Sequence, residues 1–502
     1  LHESAVILLS DHFDRQWFRF TFLTSTILGL CWCLLTPPFQ VADENFHFFR
    51  AYQISQGDFI SQQVRLDTVL SANLTAYLPD ETFVYRLNKT SQPATPPNPS
   101  ILLHGGKLPS EIPELSNYLI ERIPHDPDAK LSLAKLRGVF RDRVSAGDPQ
   151  AFVSFPNSAA YSPVAYLPQA TGILFSRALH LGVIFDFYFA RLFSVVIGAL
   201  VVAAAVAIIP WGKACLSFFA LIPMYIFQLA SCSADAMVLS LSVLLVAICF
   251  RLSAKIEFDS RLVFLAGIVW GLLFLSKTVY AGLLLLLLPS LWTHRRRLCR
   301  FPEILAFPCL AICAIPGLLW AQEAVNMFIP PTGYIQANPK AQILFIKGNI
   351  FNFLKAAFLG LKHFFPILYR EGIGVLGWLD THLHASVYWI CSGSFWGLVL
   401  AEHQENRQGL FSFTALITAI ATYLLVVISI FSVWNPVGVF MLNGLQGRYL
   451  LPLVPCIAIS LRYAIPWGGR VSPNVLRKMV LLLMLITQSL TIHTVIKRYW
   501  IW

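Results

Sequence analysis

Apolar residues gather into runs of about 15 to 24 positions with almost no charge, close to the roughly 20 a helix needs to cross the hydrocarbon core. The first lies at about Thr21 to Thr36. Six more fall at about Arg191 to Pro210, Ala214 to Ser231, Ala236 to Phe250, Leu262 to Ser276, Val279 to Trp292 and Ile304 to Ala321. The last four fall at about Ser386 to Ala401, Leu410 to Val433, Leu450 to Ile465 and Met479 to Ile496. An unpaired backbone cannot face lipid, so helical spans are the default reading. The pattern predicts an all-α polytopic membrane protein with about eleven transmembrane helices, within a range of roughly ten to thirteen.

The polar stretches between the runs divide the chain. Residues 1–36 form the N-terminus and the first transmembrane helix, and 37–188 a long loop domain of mixed helical and irregular structure. That stretch is too long for a connecting loop in a compact bundle. Its Pro93, Pro96, Pro97 and Pro99 lie close together, and its last part, 161–181, reads as a membrane-associated helix. Residues 189–321 hold helices two to seven, 322–385 a second outer segment, and 386–502 helices eight to eleven. Within 322–385, Lys347, Lys355 and Lys362 recur along one helix face whose other faces carry Phe351, Phe358 and Leu361. This reads as a basic amphipathic helix at the lipid headgroups, or as a solvated face over a packed one.

Composition agrees with immersion in lipid: 56% of the 502 residues are hydrophobic and 13% charged, with a mean hydropathy of +0.64. The formal charge of +11 would suit nucleic acid if the basic residues were spread over a surface. They are instead clustered beside apolar runs, as in Arg295-Arg296-Arg297 and Arg470 to Lys478, which the positive-inside rule explains without a nucleic-acid partner. With 161–181 lying on the membrane, Lys213, Lys255 to Arg261, Arg295 to Arg300, Arg407 and Arg470 to Lys478 all share the cytoplasmic side with the N-terminus. The expectation is a bacterial inner membrane protein whose long loop and active face are extracytoplasmic. No cleavable signal peptide is evident. The ten cysteines sit almost all in apolar runs and match no zinc spacing.

The unusual polar residues fall on one side of this topology. Asp43 and Glu44 follow the first span on a base stiffened by Pro37-Pro38, where a carboxylate can act as general base toward a hydroxyl or as a metal ligand. Helix capping is the plain alternative. His47 extends that group. Asp235 lies between two apolar runs, where an ionisable group is costly unless used or paired; it could cap the fourth span or pair with Lys277, which ends the fifth. Trp378 and Asp380 precede the eighth. Gln446, Arg448 and Tyr449 open the tenth, and a guanidinium there can hold a phosphate, whether of a substrate or of an ordinary lipid.

These motifs carry a resemblance. Pro37-Pro38-Phe39-Gln40 with Asp43-Glu44, His47-Phe48 and Arg50-Ala51-Tyr52-Gln53 resembles the opening signature of the bacterial membrane-protein family known as domain of unknown function 2142. Tyr161-Ser162-Pro163 with Tyr166-Leu167-Pro168-Gln169, Ser233-Ala234-Asp235-Ala236, Gly377-Trp378-Leu379-Asp380-Thr381 and Gln446-Gly447-Arg448-Tyr449 continue it, from about Leu35 to Leu461. Ala42, where the family pattern usually has proline, and Asn45 depart from it. The family in turn resembles the polytopic glycosyltransferases of the GT-C architecture, which take a sugar from a polyprenyl-phosphate donor.

That resemblance implies Asp43 as catalytic base with Glu44 behind it. It implies substrate-binding roles for His47, Arg50, Tyr161, Gln169, Asp235, Lys277, Trp378, Asp380, Gln446, Arg448 and Tyr449. The partners are then the lipid bilayer, the polyprenyl-phosphate-linked sugar and a glycan or lipid-linked acceptor. No ligand set is complete enough to define a metal site, although a divalent cation, Mg or Mn, could meet the leaving phosphate. Two other readings stay open, a carrier or flippase of a lipid-linked glycan and a non-catalytic partner in envelope polysaccharide assembly.

Overall fold

The first helix, Arg15–Leu35, opens where the Asp14 carboxylate accepts the backbone N–H groups of Gln16 and Trp17, satisfying donors that a helix start leaves unpaired. It packs against Val183–Ile208, and the two run antiparallel: Asp14 N–H donates to the Ala207 carbonyl at one end, and Arg191 reaches the Cys33 and Thr36 carbonyls at the other. This computed structural model describes residues 13–80, 83–87, 101–142, 150–254, 259–295, 306–327, 337–403, 408–465 and 468–501.

Among the described residues six helices are long and apolar enough to cross a membrane, or seven if Pro339–Gly348 and Ile350–Gly374, bent by 108° at their junction, count as one. The six lie at Arg15–Leu35, Val183–Ile208, Asp235–Ala254, Leu310–Met327, Gly409–Trp434 and Pro473–Tyr499. This is fewer than the eleven full spans expected, and the difference has local causes. The run at Ala214 to Ser231 is two short helices, Lys213–Phe219 and Pro223–Leu229, because Pro223 has no N–H to continue the first. The run at Val279 to Trp292 is a 3-10 helix, Thr278–Leu287, followed by Leu288–Thr293 with Pro289 inside its first turn. The run at Leu450 to Ile465 is likewise a 3-10 turn, Gly447–Leu453, then Val454–Ala464. Ser260–Ser276 and Ala385–Ala401 are apolar helices of 17 residues each.

The loop domain is the second correction to an all-α expectation. It holds strands β1 (Gln62–Arg65), β2 (Thr75–Asp80), β3 (Phe83–Leu87), β4 (Leu102–Pro109) and β6 (Gln150–Ser154) in one five-stranded sheet of order β1-β4-β6-β2-β3. β2 and β6 are parallel and the other pairs antiparallel. Leu66, Val69, Ala76, Leu78, Leu87, Leu103 and Phe152 make a small core of their own. The Pro93 to Pro99 cluster lies outside the described residues. The segment 161–181, expected to lie on the membrane, holds the helix Leu167–Ala178, packed along Val183–Ile208.

The short strand β5 (Leu131–Ser132) pairs in parallel with Trp500–Ile501 at the end of Pro473–Tyr499, and Trp500 Nε1 donates to the Leu35 carbonyl at 2.8 Å. The loop domain and the C-terminal residues therefore share one end of the helix bundle. At the opposite end Arg477 donates to the Gln16 side chain, Lys213 Nζ to the Ala207 carbonyl, and Arg462 lies against Trp211. Arg477, Lys213 and Arg462 thus lie at the end away from the loop domain.

Candidate functional site

The turn after the first helix is held in an uncommon backbone. Phe39 and Asp43 both have left-handed dihedrals, with φ of 62° and 61°, a conformation that is costly for a bulky side chain and cheap for aspartate. Asp43 stands at the N-terminus of the helix Glu44–Ser55 yet makes no side-chain capping bond. Its half-buried carboxylate is thus free of the capping role, with Asn157 Nδ2 3.5 Å from one oxygen. Trp378 Nε1 donates to the Phe39 carbonyl at 3.2 Å and braces the turn from the far side of the chain.

Glu44 points the other way. Its two oxygens meet Arg191 at 2.8 and 2.6 Å, both side chains have no exposed surface, and Oε1 also accepts the Cys232 N–H. Arg191 spends its remaining donors on the carbonyls of Cys33, Thr36 and Pro37. A second acid ready to replace Asp43 was expected here. The structure places Glu44 instead in the joint that locks the first helix, the Pro37-Pro38 turn and the Ser231 to Asp235 turn together.

A second group assembles around Asp235. Lys277 Nζ lies 3.1 Å from Oδ1 and Arg448 Nε 3.6 Å from Oδ2, so the capping alternative gives way to an ion triad joining three segments. Lys277 stands over the Tyr449 ring, 4.4 Å from its centroid, and 5.9 Å from that of Tyr161. Arg448 also donates to Gln446 Oε1 at 2.8 Å, and Tyr280 O–H donates to the Tyr449 carbonyl. Gly447 is required by close approach, since a Cβ there would stand 2.1 Å from the Leu368 carbonyl oxygen. Its N–H donates to Glu371 at 2.6 Å.

His47 joins the two groups. Its backbone N–H donates to the Asp43 carbonyl, its ring lies beside those of Tyr161 and Tyr166, and Nδ1 is 2.6 Å from the Tyr166 hydroxyl. Burial pushes its pKa down to about 4, against the opposing pull of the Asp43 and Asp235 carboxylates and with help from Arg448 and Lys277. The charges of Asp43, Asp235, Lys277 and Arg448 thus all act on one neutral imidazole.

Other expected residues stand behind this cluster. Gln169 is fully buried and donates to the Ser233 carbonyl at 3.0 Å, holding the Asp235 turn. Arg50 is fully buried and donates to the carbonyls of Phe59 and Tyr161. Asp380 is not brought in: it pairs with Arg498 at 3.0 Å and accepts the His125 N–H, tying the loop domain to the C-terminal helix. Asn157, Tyr166 and Arg191 were missed as site residues. An arginine inside an apolar run is itself a signal, so Arg191 was findable; Tyr166 gave none beyond its motif, and Asn157 gave none. Among the described residues no cluster of three His, Cys, Asp or Glu side chains could hold a metal ion.

Apolar spans, a sheet-bearing loop domain and a charged cluster where they meet define a polytopic membrane protein with a polar site at one end of its bundle. Residues 117–457 match the family model described as predicted membrane protein (DUF2142), and the chain belongs to that family. The match takes in Tyr161, Asp235, Lys277, Trp378 and Arg448 and begins after Asp43 and His47, whereas the motifs suggested a start near Leu35. No curated protein and no solved structure matches the chain.

Proposed function

We propose that this protein is a glycosyltransferase that moves a sugar from a polyprenyl-phosphate donor to an acceptor hydroxyl of a cell-envelope glycan or lipid-linked saccharide. The observation that carries the reading is a carboxylate that caps no helix, Asp43, acting on the same buried imidazole, His47, as two cations, Lys277 and Arg448, that Asp235 draws together. Asp43 takes the acceptor proton as the hydroxyl oxygen attacks the anomeric carbon. The bond from that carbon to the phosphate oxygen breaks with inversion, and the phosphate leaves with the electron pair. Lys277 and Arg448 meet that charge in a site fixed before the reaction, which is where such groups stabilise a transition state most.

Lys213, Arg462 and Arg477, in or beside short connections between helices, lie opposite the loop domain, and by the positive-inside rule this supports a cytoplasmic N-terminus and an outer active face in a bacterial inner membrane. The GT-C likeness supports the same arrangement at the level of architecture, which does not fix function.

A carrier reading has one observation in its favour. Lys277 stands where a helix gives way to a 3-10 segment and Arg448 lies in a 3-10 segment that leads into a helix, and discontinuous helices often form ion and substrate sites in transporters. The test is a panel of radiolabelled polyprenyl-phosphate sugars offered to the purified protein in nanodiscs and liposomes. A new glycosidic product supports the transferase; a donor bound and flipped across liposomes but never consumed supports the carrier.

A further inference from the structure

Among the described residues, Ile350–Gly374 turns one face inward and leaves another without a protein partner. Phe353, Ala356, Ala357, Gly360 and Leu368 are buried. Phe351, Phe358 and Phe365 are 84%, 64% and 59% exposed, too much aromatic surface to be left to water. They recur every seventh residue, almost two full turns, and at about 100° per residue they share an arc of about 80° with Lys355 and Lys362. Both lysines are exposed. The preceding helix, Pro339–Gly348, extends the pattern with exposed Leu344 and Lys347.

Hydrocarbon would accept the phenylalanines and reject ammonium groups interleaved with them; water would do the reverse. The one place that suits both is the boundary between acyl chains and headgroups. The 108° bend lets the two helices meet that boundary at different angles. The face bears cations without compensating acids, since Glu371, the one carboxylate in these two helices, is engaged by the Gly447 N–H.

From this we infer that the stripe formed by Phe351, Lys355, Phe358, Lys362 and Phe365, continued by Lys347, is a binding surface for anionic phospholipid of the surrounding bilayer. The phenylalanines enter the upper acyl region and the lysines hold phosphate above it. The inference stands apart from the proposed chemistry, although the same helix abuts the site through Glu371 and Gly447.

The test is photo-crosslinking from p-benzoyl-phenylalanine placed at Phe358, in full-length protein in nanodiscs of equal phosphatidylglycerol and phosphatidylcholine, with adducts identified by mass spectrometry. The expected adducts are lipids, enriched in phosphatidylglycerol, with the preference falling about fivefold per lysine removed in Lys347→Gln, Lys355→Gln and Lys362→Gln. The corresponding Lys→Arg changes retain the preference, which separates lost charge from lost folding. Adducts to a second protein chain, no adducts, or equal labelling of both lipids would each overturn the inference.

Discussion

Glu44 and Arg191, 147 residues apart in sequence, form an ion pair 2.6 Å long with no exposed surface on either side chain. Removing one partner leaves a buried charge alone, which typically costs about 3 to 5 kcal/mol. Glu44→Gln and Arg191→Met should therefore each lower the unfolding temperature in detergent sharply, and the double change Glu44→Leu with Arg191→Met should recover part of it. A wild-type unfolding temperature in Glu44→Gln would show that the pair does not hold the turn.

Asp235 neutralises two cations at once. In Asp235→Asn, Lys277 and Arg448 lose their shared partner and repel each other, so the variant should be less stable without anions. It should also be stabilised more than wild type by added phosphate, because a ligand that binds the folded state raises stability with its concentration. Differential scanning fluorimetry with and without phosphate measures both effects; equal stabilisation of the two proteins would contradict the picture.

His47 gives the pH dependence. Its folded pKa of about 4 lies below the ordinary histidine value of 6.5, so between those values the unfolded chain binds more protons and stability rises with pH. The contribution is fully present above pH 6.5 and fades as pH falls toward 4, reaching on the order of 2 kcal/mol lost at pH 4.5. His47→Gln should flatten that part of the profile relative to wild type. An unchanged slope would mean that the imidazole is not held neutral against Tyr166.

Trp378 braces Asp43 from a distance. Trp378→Phe keeps an aromatic, though smaller, side chain and removes the donor to the Phe39 carbonyl, a loss of about 1 kcal/mol for the hydrogen bond. Transfer should slow with little change in the donor's KM, since the binding cations are untouched. A variant with wild-type kcat would remove Trp378 from the positioning role.

The candidate cluster was legible because ionisable residues beside apolar runs are expensive, and Asp43, Asp235, Lys277 and Arg448 each stand at such a boundary. Asp235, Lys277 and Arg448 do meet in space. The division of labour within the acidic pair was not legible: neighbouring Asp43 and Glu44 look alike in sequence, and only the left-handed backbone at Asp43 sends one carboxylate to the cluster and the other to Arg191. The span count suffered because hydropathy averages over Pro223, Pro289 and Pro452 without registering the N–H groups they remove. The sheet was hidden for a related reason. Its strands are short, and β4 carries Gly105-Gly106-Lys107, which breaks the alternation that marks a strand.

The central claim rests on the Asp43 carboxylate, and the most direct measurement compares wild type with Asp43→Asn in sugar transfer from a radiolabelled polyprenyl-phosphate donor, with donor binding followed in parallel. Donor binding should stay within about twofold of wild type while transfer slows by at least about a hundredfold, the usual range for loss of a general base. Transfer at the wild-type rate in a folded Asp43→Asn protein would contradict the claim.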